Sequence, residues 1–281
     1  MDAGSACHEI RRAIHGAGRG CLSTASSLRL LIAVFALGLT VACTPPKARI
    51  LPPPSLTPSE VARLLAAPLQ QINTLQADGI IKMIDRGAPV ISDMFLVFDA
   101  KQGLRLDIVT PMATPLFSTV VRPDRILLLD FRRNLMVDGP ADEQTAFSLL
   151  RFAIDPKLLL QITAGGFTHD GPPWQFVPPT NDTERLWSFQ SGPWRARIDP
   201  ESLRLVRLSL AGQSPITVEW SRFLDVDGVS MAHTITIERP TKNQTLVLKL
   251  NEVRANQEVD IHLLRPIAPP GWSCSSIDGG D

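Results

Sequence analysis

Apolar positions recur along the chain with two different periods. Between residues 58 and 72, Val61, Leu64, Leu65, Leu69 and Ile72 return at helical spacing and make one stripe. Thr57-Pro58-Ser59-Glu60 precedes them with a capping residue, proline at the first helical position and Glu three residues after the cap, so a helix starts there and Pro68 should kink it. After Leu75 the period becomes two. Ala77, Gly79, Ile81 and Met83 alternate with Asp78, Ile80, Lys82 and Ile84, and Leu104, Leu106 and Ile108 alternate with Arg105 and Asp107.

Further strands are expected over 91–99, 115–121, 125–130, 185–190, 194–199, 203–210, 215–222, 231–238, 245–253 and 258–264. Their connections, such as Arg86-Gly87 and Asp227-Gly228, are too short for parallel crossovers, so the sheet should be an antiparallel meander. Residues 142–163 interrupt it with two short helical pieces divided at Asp155-Pro156. The fold class is therefore mainly β with added helices (α+β): a curved antiparallel sheet whose concave face the helices cover.

The segment before this domain has another character. Residues 30–42, LLIAVFALGLTVA, are uncharged and apolar, too short to span a bilayer, and preceded by Arg11, Arg12, Arg19 and Arg29. That is the layout of a signal peptide. Leu39-Thr40-Val41-Ala42-Cys43 resembles the lipobox of bacterial lipoproteins, with Thr40 where Leu is commoner. The resemblance implies removal of residues 1–42 and lipid attachment at Cys43, which tethers the mature chain to a membrane without spanning it. Residues 44–57 carry five prolines and read as an extended tether. The organisation expected is signal peptide 1–42, lipidated Cys and tether 43–57, domain 58–267 and flexible tail 268–281.

Charge and chemistry narrow the function by exclusion. The chain holds 28 basic and 28 acidic residues, and four of the former and two of the latter precede Cys43, which offers no basic field for nucleic acid or for reinforcing a lipid anchor. Beyond Cys43 the only cysteine is Cys274, in a Gly/Ser-rich tail, so no internal disulfide is possible. His169, His233 and His262 lack metal-site spacing, no nucleophile elbow or phosphate loop occurs, and Asp225 and Asp227 flank Gly228 in an expected turn. Neither an enzyme nor a cofactor is expected. What remains is apolar surface. Met94 to Phe98 and Ile126 to Leu129 are apolar on both faces, which fits either a packed core or a cavity for acyl chains.

Three stretches together resemble the lipoprotein-localisation family of LolA and LolB: 77–79 through Leu104-Arg105-Leu106-Asp107-Ile108-Val109-Thr110-Pro111, 223–229 leading to Thr234–Ile237, and 248–260. The resemblance implies an incomplete β-barrel whose hydrophobic cavity holds the acyl chains of a lipoprotein or another lipid. It implies an outer-membrane receptor facing the periplasm, supplied by a LolA-like carrier and catalysing no reaction. The expected lining residues are Ile81, Met83, Leu106, Ile108, Leu127, Leu129, Leu246, Leu248 and Leu250. The turn Pro111, Met112 and Ala113 matches by position the receptor loop that dips into the membrane, although Met112 folded back over the rim is an equally natural place for a flexible apolar side chain. The same fold serving a structural or assembly lipoprotein without cargo is the alternative.

Overall fold

The structure, a computed structural model, describes residues 55–179 and 185–277; Cys43, the signal segment and most of the tether lie outside them. The first helix, α1 (Pro58–Gln71), begins where the cap is written: Thr57 Oγ1 accepts from the Glu60 N–H, while the Glu60 carboxylate accepts from the Thr57 N–H at 2.7 Å. The helix continues through Pro68 and buries Val61 and Leu65. Two strands follow, β1 (Thr74–Asp85) and β2 (Ala88–Asp99), then β3 (Gly103–Val109), β4 (Pro115–Val121), β5 (Arg125–Asp130) and β6 (Leu135–Pro140).

Helices α2 (Glu143–Leu150) and α3 (Pro156–Thr163) interrupt the strands where expected. Asp142 caps the first by accepting from the Thr145 N–H, and Asp155 caps the second by accepting from the Lys157 N–H, with Pro156 pre-set for the first turn. Strands resume with β7 (Gln175–Val177), β8 (Trp187–Ser191), β9 (Trp194–Asp199), β10 (Arg204–Leu210), β11 (Ile216–Val226), β12 (Val229–Arg239) and β13 (Gln244–Ala255), and end with β14 (Ser273–Ser276).

All fourteen belong to one curved, unclosed sheet, in the order β14-β6-β5-β4-β3-β2-β1-β13-β12-β11-β10-β9-β8-β7. The pairing of β1 with β13 joins the two meanders and fixes the register at the centre: Ile81 lies opposite Leu248, and Met83 opposite Leu246. At Gly79 the pairing is bulged, and an added Cβ would come within 2.0 Å of the Lys249 carbonyl oxygen. Only glycine lets the two backbones approach this closely.

Directly paired residues share a face, so the register separates an inner face from an outer one. The inner face carries Leu75, Ile81, Met94, Leu96, Leu104, Ile126, Trp220, Ile235 and Leu248, packed with the helices into one core. Residues 256–277 run over the outer face of the first meander. Thr74 Oγ1 donates to the Gln257 carbonyl, and Arg105 Nη1 donates to the Leu263 carbonyl. Leu264 is fully buried there, and Trp272 meets Phe131 edge to face.

Four expectations change at this level. Residues 258–264 are not a strand: the Asp260 carboxylate accepts from the His262 N–H and winds Ile261–Leu264 into a 3-10 turn. Within the stretch expected to be a flexible tail, Ser273–Ser276 join the sheet. They pair with β6 in parallel, an exception to the antiparallel meander, because residues 256–272 cross the outer face and supply the long connection that parallel pairing needs. Leu127 and Leu129 also change face. Leu127 lies opposite Val120, and Val120 opposite Arg105, on the outer face; Leu128 and Ile126 point inward instead. Three consecutive leucines contain no alternation from which the inner residue can be chosen.

Candidate functional site: a cleft on the concave face

Of the nine residues expected to line a cavity, seven share the inner face: Ile81, Met83, Leu106, Ile108, Leu246, Leu248 and Leu250. They form the floor of the core, with Leu248 and Leu250 each 2% exposed, and Leu127 and Leu129 lie outside it. The open space lies to one side of this floor. A cleft of about 320 Å³ separates the C-terminal half of α1 and the end of α3 from β10, β11 and β12. Its apolar walls include Leu64, Pro68, Trp220, Phe223, Met231 and Ile235.

The fold holds the cleft open at identifiable points. Trp220 Nε1 donates to the Ile162 carbonyl at 3.0 Å, tying β11 to the last turn of α3. The Phe167 N–H donates to the Leu65 carbonyl, and Gly166 packs so closely on Leu69 that a Cβ there would fall within 2.7 Å of the Leu69 side chain. These contacts brace α1 against the segment after α3. Arg204 stands at the rim with its guanidinium carbon 5.2 Å from the Phe223 ring centre, a cation–π contact. Ser230 Oγ, inside the lining, is buried and without a hydrogen-bond partner in the described structure.

At the other end of the inner face, where β1 and β12 finish, polar groups are buried together. Arg239 is 3% exposed; its Nη1 donates to the Glu143 carboxylate on α2 at 2.7 Å and also to the Ala153 carbonyl. Gln244, opposite Arg239 across the β12–β13 pair, donates to the Arg151 carbonyl and to Asp85. This cluster fastens α2 and the segment after it to the sheet. It has the character of a structural clasp made through Arg239 Nη1 and Gln244 Nε2, while Arg239 Nε and Nη2 and Gln244 Oε1 are buried without a partner among the described residues.

Met112 sits at the tip of a well-formed turn. Ala113 N–H donates to the Thr110 carbonyl at 2.8 Å, Thr110 N–H donates to the Thr114 carbonyl at 2.9 Å, and Ala113 adopts φ 57°. Met112 is 90% exposed, flanked by exposed Pro111 and Ala113, and does not fold back over the rim. By register this turn shares its end of the sheet with the Arg86-Gly87 turn, whereas the cleft lies toward the Asp227-Gly228 turn at the opposite end. The structure does not bring Met112 to the cleft.

The histidines serve packing. His169 stacks on Phe167 and meets Trp174 edge to face, and burial lowers its pKa against a smaller opposing pull from Asp170. His233 engages the Leu250 carbonyl through Nδ1, and His262 closes the 3-10 turn. Among the described residues, no three His, Cys, Asp or Glu side chains gather to hold a metal ion, and no helix is long and apolar enough to cross a membrane. Asp225 accepts from the Gly228 N–H and Asp227 from the Ala255 N–H, so both are occupied in shaping the turn. Cys274 is exposed in β14.

A curved open sheet carries helices on its concave face, with a cleft between the two layers. That fold is shared with solved structures. A LolA superfamily protein from Nitrosomonas europaea superposes with a TM-score of 0.51, at 10% identity, over 75% of this chain and 98% of the other. A putative outer membrane lipoprotein-sorting protein domain from Vibrio parahaemolyticus gives 0.54 at 10% identity over 72% and 94%. A DUF1329 family protein from Desulfovibrio piger gives 0.55 at 10% identity over 74% and 98%. No known protein family's sequence profile matches the chain, and no curated protein matches it.

Proposed function

We propose that this protein is a lipid-anchored protein of the periplasmic face of the outer membrane that receives acyl chains in its concave-face cleft and passes them to the membrane. It performs no covalent chemistry. The observation that carries this reading is the cleft itself: apolar walls from two layers, joined at Trp220 and Ile162, on a fold shared with a lipoprotein-sorting domain. The anchor is the lipid on Cys43. The Met112 turn orients the tethered domain on the bilayer, and the acyl chains arrive from a soluble LolA-like carrier.

The test uses the full chain held in nanodiscs. Native mass spectrometry after release from the disc should find lipid bound to the folded protein, and Ala67→Phe, which places a ring in the cleft from α1, should remove it. Retention of the same lipid by Ala67→Phe would sink the cleft as the acceptor.

A second reading has its own observation. On the outer face, exposed Ile80, Ile91 and Phe95 lie close together across the β1–β2 pair, and most of the inner face is a filled core. A structural or assembly lipoprotein would dock a protein partner on such a patch. Ile91→Asp should then abolish assembly while leaving lipid binding intact.

A further inference from the structure

The cleft is more selective than a greasy slot. Among its described lining residues the one charged side chain is Arg204, and no carboxylate faces into it. Arg204 lies over Phe223 and forms no ion pair among the described residues; its neighbour across β9–β10, Asp199, accepts from the Glu201 N–H of its own turn. The rest of the lining is largely apolar, from Leu64 and Pro68 on α1 to Phe223, Met231 and Ile235 on the sheet.

Size sets the second constraint. A space of 320 Å³ is at the lower end of the range for ligand pockets, about 300–1,000 Å³. Counting a methylene at about the 30 Å³ of a liquid water, it takes roughly ten chain carbons. That is one chain, shorter than the set of chains on a mature lipoprotein. From the one charged side chain in an otherwise largely apolar lining and the volume together, we infer that the cleft in this conformation binds a single-chain anionic amphiphile, with its tail between α1 and β11–β12 and its acidic headgroup on Arg204.

This inference rests on the acyl-binding reading and sharpens it. Arg204 keeps its cation–π seat when the headgroup arrives, because a guanidinium presents its edge to an anion while its face lies on the ring. Carboxylate and phosphate headgroups share the chemistry that Arg204 recognises.

Equilibrium dialysis of decanoate, decyl phosphate and decanol against the full chain in phosphatidylcholine nanodiscs, with empty nanodiscs subtracted, tests this directly. Decanoate or decyl phosphate should bind saturably at one site and more tightly than decanol, and the tighter of the two identifies the headgroup. Arg204→Gln should weaken the preferred anion about fivefold without changing decanol binding. Ala67→Phe should abolish both. Equal binding of decanol and the anions, or an Arg204→Gln variant that still discriminates between them, overturns the anionic preference and leaves the acyl cleft standing. If no amphiphile binds at all, the inference and the acyl-binding reading fall together. Circular dichroism on each variant shows that lost binding is not lost fold, and Arg204→Lys, which retains the charge, should restore the preference for an anion.

Discussion

The indole N–H of Trp220 reaches across the core to the carbonyl of Ile162, so one hydrogen bond of 3.0 Å links the middle of the sheet to the end of a covering helix. Trp220 is 2% exposed and Ile162 fully buried, which keeps water from replacing either partner. Trp220→Phe keeps most of the apolar contact and leaves the carbonyl without this donor. The expected loss is about 1–3 kcal/mol of unfolding free energy, measured by denaturant titration. Because the same bond braces the cleft, hydrogen exchange in residues 156–165 should speed up more than in β1; uniform acceleration would show that Trp220 contributes only to global stability.

Gly79 gives the steepest expected effect from the smallest change. A methyl group there would collide with the Lys249 backbone, which cannot swing aside as a side chain would. Gly79→Ala should cost about 1–3 kcal/mol or more and disturb the β1–β13 pairing that unites the two meanders. A thermal melt within a degree of the parent would contradict the close approach.

The clasp between Arg239 and Glu143 predicts an order of effects that intuition reverses. Removing the acid by Glu143→Ala leaves a guanidinium that is 4% exposed to solvent, whereas Arg239→Met removes the buried charge and keeps most of the volume. Glu143 is half exposed, so removing it costs less than breaking a fully buried pair, about 3–5 kcal/mol, but replacing a buried charge with an apolar side chain often costs little. Arg239→Met should therefore be the milder substitution in a chemical denaturation series. Equal losses would mean that the bond to the Ala153 carbonyl outweighs the ion pair.

Acidification acts on the first helix through Glu60. Its hydrogen bonds with Thr57 hold its carboxyl below the usual value of 4.5. Stability from a lowered carboxyl is present above the unfolded pKa and is lost as pH falls through the folded one, so the capping box weakens only below about pH 4.5. Thr57→Ala should cost about 1 kcal/mol at neutral pH, with the difference shrinking in acid. His169 moves the same way for a different reason: burial disfavours its charged form, so its contribution is complete above the unfolded value of 6.5 and declines as pH falls below it. An NMR titration that puts its midpoint above 6.5 would refute this.

Met112→Glu should leave folding untouched, since the side chain is 90% exposed. Its burial in a bilayer is worth about 1.5–3 kcal/mol, enough to orient a tethered domain and too little to hold it alone. Transfer of a lipopeptide into liposomes should slow in this variant if the turn is the membrane contact, and an unchanged rate would make Met112 a bystander.

The sequence carried most of the frame because period, caps and turns are local. Thr57 with Glu60, Asp155 with Pro156, and Asp227 with Gly228 each fix an element boundary from within a few residues. What it did not carry depends on distant partners. Strand β6, Leu-Met-Val-Asp-Gly-Pro, has little strand character and exists because β5 and β14 flank it. The four residues of β14, Ser-Cys-Ser-Ser, have none and are recruited by the parallel edge. The seven floor residues were legible as an inward face, but the cleft is not on that floor. It arises where α1 and α3 fail to meet β10–β12 completely, and no alternation in a single strand records a gap between layers. The Val61–Ile72 stripe of α1 and the apolar positions of β11 and β12 were the available signal.

The parallel pairing of β14 with β6 also bears on the order in which the chain is finished during synthesis. Strands β1 to β6 are made early, yet β6 obtains its outer neighbour only when residues 273–276 have followed. Until then a row of amide and carbonyl groups stays open to any extended chain nearby, whereas the other border of the sheet is the three-residue β7, followed by Pro178 and Pro179, which offer no N–H. A chain that stops before Ser273 thus carries one adhesive border, and holding that border safe is a task for chaperones until residues 273–276 have paired with β6.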